Sequence, residues 1–228
     1  MEYTLTKKPR GAKIVIGFPS IGLVSTIATK FMIDHLDVEV IGDISSEKII
    51  PLTAIHKSNI VEPITLYYNK KYNIIIVQSI TDVIGLEWDI TKTILKIAKD
   101  VDAKEIVVLE GIPSFKEEIN LFYYSTKKIN LKVNPLKEGI IMGVTASLLL
   151  KAGKIPITCL FAETHSNLPD SEAAAKIVET LDGYLGFKID VKPLFEQAKK
   201  FESSLKQYIE KSRGMLDQKQ KKELSYFG

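Results

Sequence analysis

Residues 14–33, IVIGFPSIGLVSTIATKFMI, constrain the fold of this chain more than any other stretch. A β-branched run from Lys13 to Gly17 stops at Gly17-Phe18-Pro19-Ser20-Ile21-Gly22. The apolar period then changes from two to 3.6, with Ile21, Val24, Ile27, Ala28, Phe31 and Met32 sharing one helix face over residues 20–35. A buried strand, a glycine-bearing turn and a helix, in that order, are the opening of an α/β sheet. Ligands of such sheets gather at the carboxyl edge, where turns of this kind lie. The turn is neither G-x-G-x-x-G nor a P-loop, and Pro19 removes one backbone N–H that an anion would need. A structural turn therefore outranks a nucleotide site.

The same reading continues down the chain. Val38 to Ile44 predicts a second strand, and Ile60–Tyr68 with Tyr72–Ile80 predicts a hairpin around Asn69-Lys70-Lys71. Leu86 to Asp100 has helical spacing at Ile90, Ile94, Ile97, Ala98 and Val101. Glu105 to Leu109 reads as a buried strand that ends in a turn, Glu110 to Ser114. Gly143 to Lys151 predicts a short apolar helix and Ile155 to Phe161 a further buried strand. Pro169-Asp170-Ser171-Glu172 opens a helix to Leu185, with acids suited to its N-terminal dipole. Strands apolar on both faces alternate with helices. The fold class that follows is α/β, a three-layer α/β/α sandwich with a mostly parallel central sheet. One weak symmetry is visible: Gly17-Phe18-Pro19-Ser20 and Gly111-Ile112-Pro113-Ser114 each follow a buried strand, as two equivalent turns at one sheet edge would.

Composition narrows the functional classes. With 228 residues, 45% hydrophobic and 26% charged, the chain can build one large α/β domain or two small ones. The longest apolar run, Ile140 to Leu150, is 11 residues, too short for a membrane span. The first residues lack a signal-peptide core, so a cytoplasmic protein without a membrane partner is expected. The single cysteine, Cys159, excludes an intramolecular disulfide and a cysteine zinc site, and its apolar run marks it as a buried structural thiol. The three histidines, His35, His56 and His165, have no metal-type spacing. The net charge of +3 resides entirely in residues 190–228, where nine lysines and arginines face six acids. That excess is too mild for a nucleic-acid partner.

The last 39 residues differ from the rest. Leu194, Ala198, Phe201, Leu205, Tyr208, Ser212 and Met215 alternate spacings of four and three, a coiled-coil type of seam. Pro193 suits the first turn of a helix, which would be about 35 Å long by residue 215. The seam packs either on its own domain or against another subunit. A polar stretch follows, and Leu224-Ser225-Tyr226-Phe227-Gly228 ends the chain with two aromatics. The predicted parts are a body over 1–189, a helix over 190–216 and a flexible tail over 217–228.

At the carboxyl edge, Glu110, Glu163 and His165, with Asp82 and the Gly17 turn, could converge as an acid, a base and a polar pocket. That would suit a small-molecule hydrolase or phosphorylase. No G-x-S-x-G elbow accompanies them, and a polar edge that hydrogen-bonds its own loops accounts for them as well.

Gly17-Phe18-Pro19-Ser20-Ile21-Gly22-Leu23-Val24 resembles the opening motif of the proteasome assembly chaperone family of archaea and eukaryotes. Three later blocks agree: Val108-Leu109-Glu110-Gly111, the apolar helix from Gly143, and Cys159 to Thr164 followed by Pro169 to Ala175. The likeness covers roughly residues 10–187. It implies an architecture like that of nucleoside phosphorylases without their activity, and a protein that is not an enzyme. It implies ATP independence with no cofactor, a homo-oligomer with a tetramer favoured, and binding to the α-subunits of the proteasome core particle. Family members that act on core particles end in a hydrophobic-Tyr-any motif, which corresponds here to Tyr226, Phe227 and Gly228. Phe227 replaces the tyrosine: the aromatic body remains and the phenol hydrogen bond is absent.

Overall fold

The computed structural model describes residues 1–56, 58–114, 118–164 and 168–196. Four parallel strands form the centre of the sheet: β2 (Lys13–Gly17), β7 (Ile74–Ser79), β8 (Glu105–Pro113) and β11 (Ile157–Thr164). On one flank, β6 (Ile64–Asn69), β3 (Glu39–Ser45) and β1 (Glu2–Leu5) add antiparallel. On the other, β9 (Leu121–Ser125) runs antiparallel to β11, and the short β10 (Asn134–Pro135) lies beside β9. The order across the nine strands is β1-β3-β6-β7-β2-β8-β11-β9-β10. A separate small hairpin pairs β4 (Ala54–His56) with β5 (Asn59–Val61).

The strand period sorts the core into two layers. Ile14 and Ile16 of β2, Ile75 and Val77 of β7, and Ile106 and Val108 of β8 point to one face. There α2 (Glu87–Asp100) and α3 (Gly143–Lys151) cover them with Ile90, Ile94, Ile97, Val144 and Leu148. Val15, Ile76, Val107 and Leu109 point to the other face, under α1 (Val24–His35) and α4 (Ser171–Leu185). Each such side chain taken fully out of water contributes about 1.5–3 kcal/mol. Burial on both faces is why these strands read as continuous apolar runs rather than alternating ones. The expected three-layer α/β/α sandwich is therefore the architecture.

Two helix starts explain their sequences. Asp170 caps α4, its carboxylate accepting from the Ala173 N–H at 2.9 Å. A short 3₁₀ turn, Ile21–Leu23, precedes α1, and Gly22 and Leu23 at positive φ separate the two helical pieces. Cys159 is buried among aliphatic side chains, which raises its thiol pKa, and the neighbouring Glu110 charge adds to that. It is a packing residue.

Several elements depart from the sequence expectation; the strand expected over 60–68 divides into β5 and β6, and β5 pairs with the unexpected β4. Residues 110–113 continue β8 instead of forming a turn, because β11 runs on to Thr164 and pairs with them. β11 correspondingly starts two residues later than expected, after Pro156, which has no N–H for a strand ladder. The edge strands β1, β9 and β10 have no counterpart in the predicted elements.

Candidate functional site

The turn after β2 is held against the ends of β8 and β11 by close backbone approach, and its glycines permit it. A Cβ on Gly17 would lie 2.5 Å from the Thr29 methyl and 2.7 Å from the Ser25 carbonyl oxygen of α1. Gly22 has φ near +65°, and its Cβ would lie 2.6 Å from Thr164 Oγ1 at the end of β11. The Gly22 carbonyl accepts from the Asp170 N–H at 2.8 Å, which ties the turn to the start of α4. Ser20 Oγ accepts from the Gly111 N–H at 3.1 Å and lies 3.0 Å from Ser25 Oγ, while Ser25 donates to the Phe18 carbonyl. The hydroxyls and backbone groups of the motif thus satisfy one another. Gly17, Phe18, Pro19 and Gly22 build a buried joint between three elements.

The joint forms one wall of a cavity of about 270 Å³ at the carboxyl edge of the sheet. Phe18 to Ile21 follow β2, Asp82 to Ile84 follow β7, Val108 to Pro113 end β8, and Gly143 to Thr145 start α3. The chain leaves β2 toward α1 on one face and leaves β7 toward α2 on the other. The cavity therefore sits where connections diverge, the usual place for a ligand in such sheets. Among the described residues its charged lining groups are Asp82, Glu87 and Glu110, with no Lys, Arg or His. At its mouth Ile84, Ile140 and Met142 are 85%, 95% and 75% exposed.

Glu110 is the unusual group. Desolvation pushes its carboxyl up to about 7, against the opposing effect of a hydrogen bond with Thr145. Its Oε2 is fully buried and has no hydrogen-bond partner among the described residues.

The structure brings together only part of the expected constellation. Asp82 and Glu110 share the cavity, but Glu163 does not line it. Glu163 Oε2 instead accepts from Asn120 Nδ2 at 2.6 Å and from the Asn120 N–H at 3.3 Å, holding the loop that enters β9. Glu163 thus follows the expectation of an edge that bonds its own loops, and Glu110 departs from it. His165 lies outside the described residues. So do Phe201, Leu205, Tyr208 and the terminal segment Leu224, Ser225, Tyr226, Phe227 and Gly228. Leu194 is described: it is 1% exposed and packs in the layer under α1 and α4 of its own chain.

Sequence reasoning missed a second charged cluster, at the opposite edge. Glu105, wholly buried at the start of β8, accepts at Oε1 from Thr158 Oγ1 at 2.6 Å and Tyr184 OH at 2.7 Å. Its Oε2 lies 2.8 Å from Lys127 Nζ and 3.8 Å from Lys13 Nζ, and both ammonium groups sit over the Tyr184 ring. Burial opposes ionisation, yet the hydrogen bonds from Lys127, Thr158 and Tyr184 prevail and hold the carboxyl below its ordinary range. A glutamate opening a strand that is otherwise Ile-Val-Val-Leu was the available signal. The cluster is a clasp between β2, β8, β11 and α4. Among the described residues no group of three or more His, Cys, Asp or Glu is placed to hold a metal ion, and no helix is long and apolar enough to cross a membrane.

Comparison with known proteins adds the relatives. The chain is similar to Pyrococcus furiosus PbaA, described as an archaeal homolog of proteasome-assembly chaperone. The TM-score is 0.83 and the identity 30%, over 98% of this chain and 97% of that one. It shares its fold with Pyrococcus furiosus PbaB, described as an archaeal proteasome activator, at a TM-score of 0.77 and 21% identity over 91% of this chain and 98% of that one. An uncharacterized protein of Methanocaldococcus jannaschii is 26% identical over 215 residues, 91% of this chain and 90% of the relative. The PAC2 family model matches residues 14–209, which include the Gly17 joint, all but the first residue of the four central strands, and helices α1 to α4. The chain belongs to the PAC2 family.

Proposed function

We propose that this protein is an ATP-independent, non-enzymatic chaperone or activator of the proteasome core particle, built as a homo-oligomer in the cytoplasm. The observation that carries the reading is the likeness to PbaA, a homolog of proteasome-assembly chaperone, along nearly the whole of both chains. In this reading the body over 1–189 is a rigid platform, the helix over 190–216 joins subunits into a tetramer, and the tail over 217–228 binds. Tyr226 and Phe227 enter apolar pockets between α-subunits, and the terminal carboxylate pairs with a lysine there. Several tails on one oligomer raise the affinity of each through effective concentration.

The test is peptidase activity of purified core particle with the full chain and with a chain ending at Ser225. Stimulation or competition that disappears on truncation supports tail-driven docking. Equal effects from both chains would remove the tail from the mechanism, and no effect from either, with no co-migration on a sizing column, would overturn the proteasome reading.

A further inference from the structure

The cavity beside the Gly17 joint is not used by tail-driven docking, yet it has the features of a binding site. It is a half-open cleft walled mainly by apolar side chains, Val83, Val144 and Phe161 among them, and carries a few polar groups. One of these is the Glu110 carboxyl, whose buried Oε2 has no partner among the described residues. A buried polar atom without a partner is rare, and a bound ion or ligand is one of the things that complete it. The lining tells what that is. Among the described residues Asp82, Glu87 and Glu110 are the charged groups of the lining, Ser20 and Thr145 add hydroxyls, and no basic side chain lines it. An anion would meet uncompensated carboxylates, and a neutral alcohol would leave them unbalanced.

The geometry points to a binding site for a primary ammonium group on a short aliphatic stem, with the ammonium donating to Glu110 and the stem lying on the apolar wall that ends at Ile84, Ile140 and Met142. Two sources share this chemistry, a free aliphatic amine and a lysine side chain presented by a protein. An ammonium has three donors and no acceptor, so it pairs with the Glu110 carboxylate without adding an unpaired acceptor. The aliphatic rim at the mouth gives the stem a surface that a charge-only site would lack.

Binding is also linked to protonation. Among the described residues the groups around Glu110 are Thr145 of α3, Cys159 and Phe161 of β11, Asp82 after β7 and Glu87 of α2; apart from Glu110, Asp82 and Glu87 are the carboxylates among them. Desolvation pushes the Glu110 carboxyl up to about 7. An ammonium favours its ionised form, so binding expels a proton, and affinity falls about tenfold per pH unit below 7.

Pentylammonium is the probe, measured by isothermal titration calorimetry on the full chain, with 1-pentanol and pentanoate as isosteres and Nα-acetyl-lysine N-methylamide as the protein-like arm. The expected result is binding of pentylammonium, weakening from pH 8 to pH 5, with proton release seen as a dependence on buffer ionisation enthalpy. Neither isostere should compete. Glu110→Gln should lower affinity at least about tenfold while its thermal unfolding remains cooperative. Binding of the amine alone assigns a free small molecule, and binding of the blocked lysine assigns a protein side chain. No binding of either amine, equal binding of 1-pentanol, or undiminished binding by Glu110→Gln would each overturn the inference.

Discussion

Gly111 of β8 lies against the Ile21 carbonyl so closely that a Cβ on Gly111 would sit 2.1 Å from that oxygen and 3.0 Å from a Val24 methyl. No side chain fits there without moving the start of α1 away from the sheet. Gly111→Ala is therefore expected to destabilise the protein by about 1–3 kcal/mol or more through overpacking. Gly183→Ala, on an exposed part of α4 where an added Cβ meets nothing within 4 Å, is expected to stabilise it by about 0.5–1 kcal/mol. Urea unfolding of the two variants measures both, and a neutral Gly111→Ala would show that the joint is loose.

The clasp at the amino edge predicts acid sensitivity. Removing the charge in Glu105→Gln leaves Lys127 and the half-buried Lys13 without their partner, and a loss of about 3–5 kcal/mol is expected. In the wild type the folded carboxyl titrates below its ordinary 4.5, so its stabilisation is complete above that value and is lost as the pH falls below it. Denaturation midpoints at pH 7 and pH 3 should converge for wild type and variant at the lower pH.

Glu110 has the opposite sign. Its folded carboxyl is raised from 4.5 to about 7, so the group is neutral in both states below 4.5 and the folded state is progressively penalised as the pH rises to 7. The penalty above pH 7 amounts to about 3 kcal/mol at about 1.4 kcal/mol per unit. Glu110→Gln should thus be more stable than wild type at pH 8 and close to it at pH 4. A stability difference independent of pH would mean that the carboxyl is not held in a desolvated place.

The seam can be divided experimentally. Leu194 is buried in its own core, so Leu194→Ala should cost about 2–5 kcal/mol in the body. Phe201→Asp with Leu205→Asp should leave the body's melting unchanged and lower the sedimentation mass, if those residues join subunits. An unchanged mass would place them on the same chain instead.

What the sequence revealed follows from which interactions are local. The central strands were legible because burial on both faces writes Ile-Val-Ile or Ile-Val-Val-Leu into five residues, and α2 was legible because Ile90, Ile94 and Ile97 repeat at helical spacing. β1 was not, because Glu2–Leu5 is half exposed and forms a strand only through its register with Gly42–Ser45, some 40 positions away. β9 depends in the same way on β11. The turn was recognisable as a motif, but why it needs glycine was not: the atoms that crowd Gly17, Gly22 and Gly111 belong to Thr29, Thr164 and Ile21. Glu110 looked like any polar residue at a strand end, since a missing partner cannot be seen in a string of letters.

The outer rims of the sheet carry one more consequence. β1 is four residues long, and β10 is two residues long and ends in Pro135, which has no N–H to offer. Rims this short give an incoming chain little backbone to template on. Strand-by-strand growth from these two rims is therefore disfavoured.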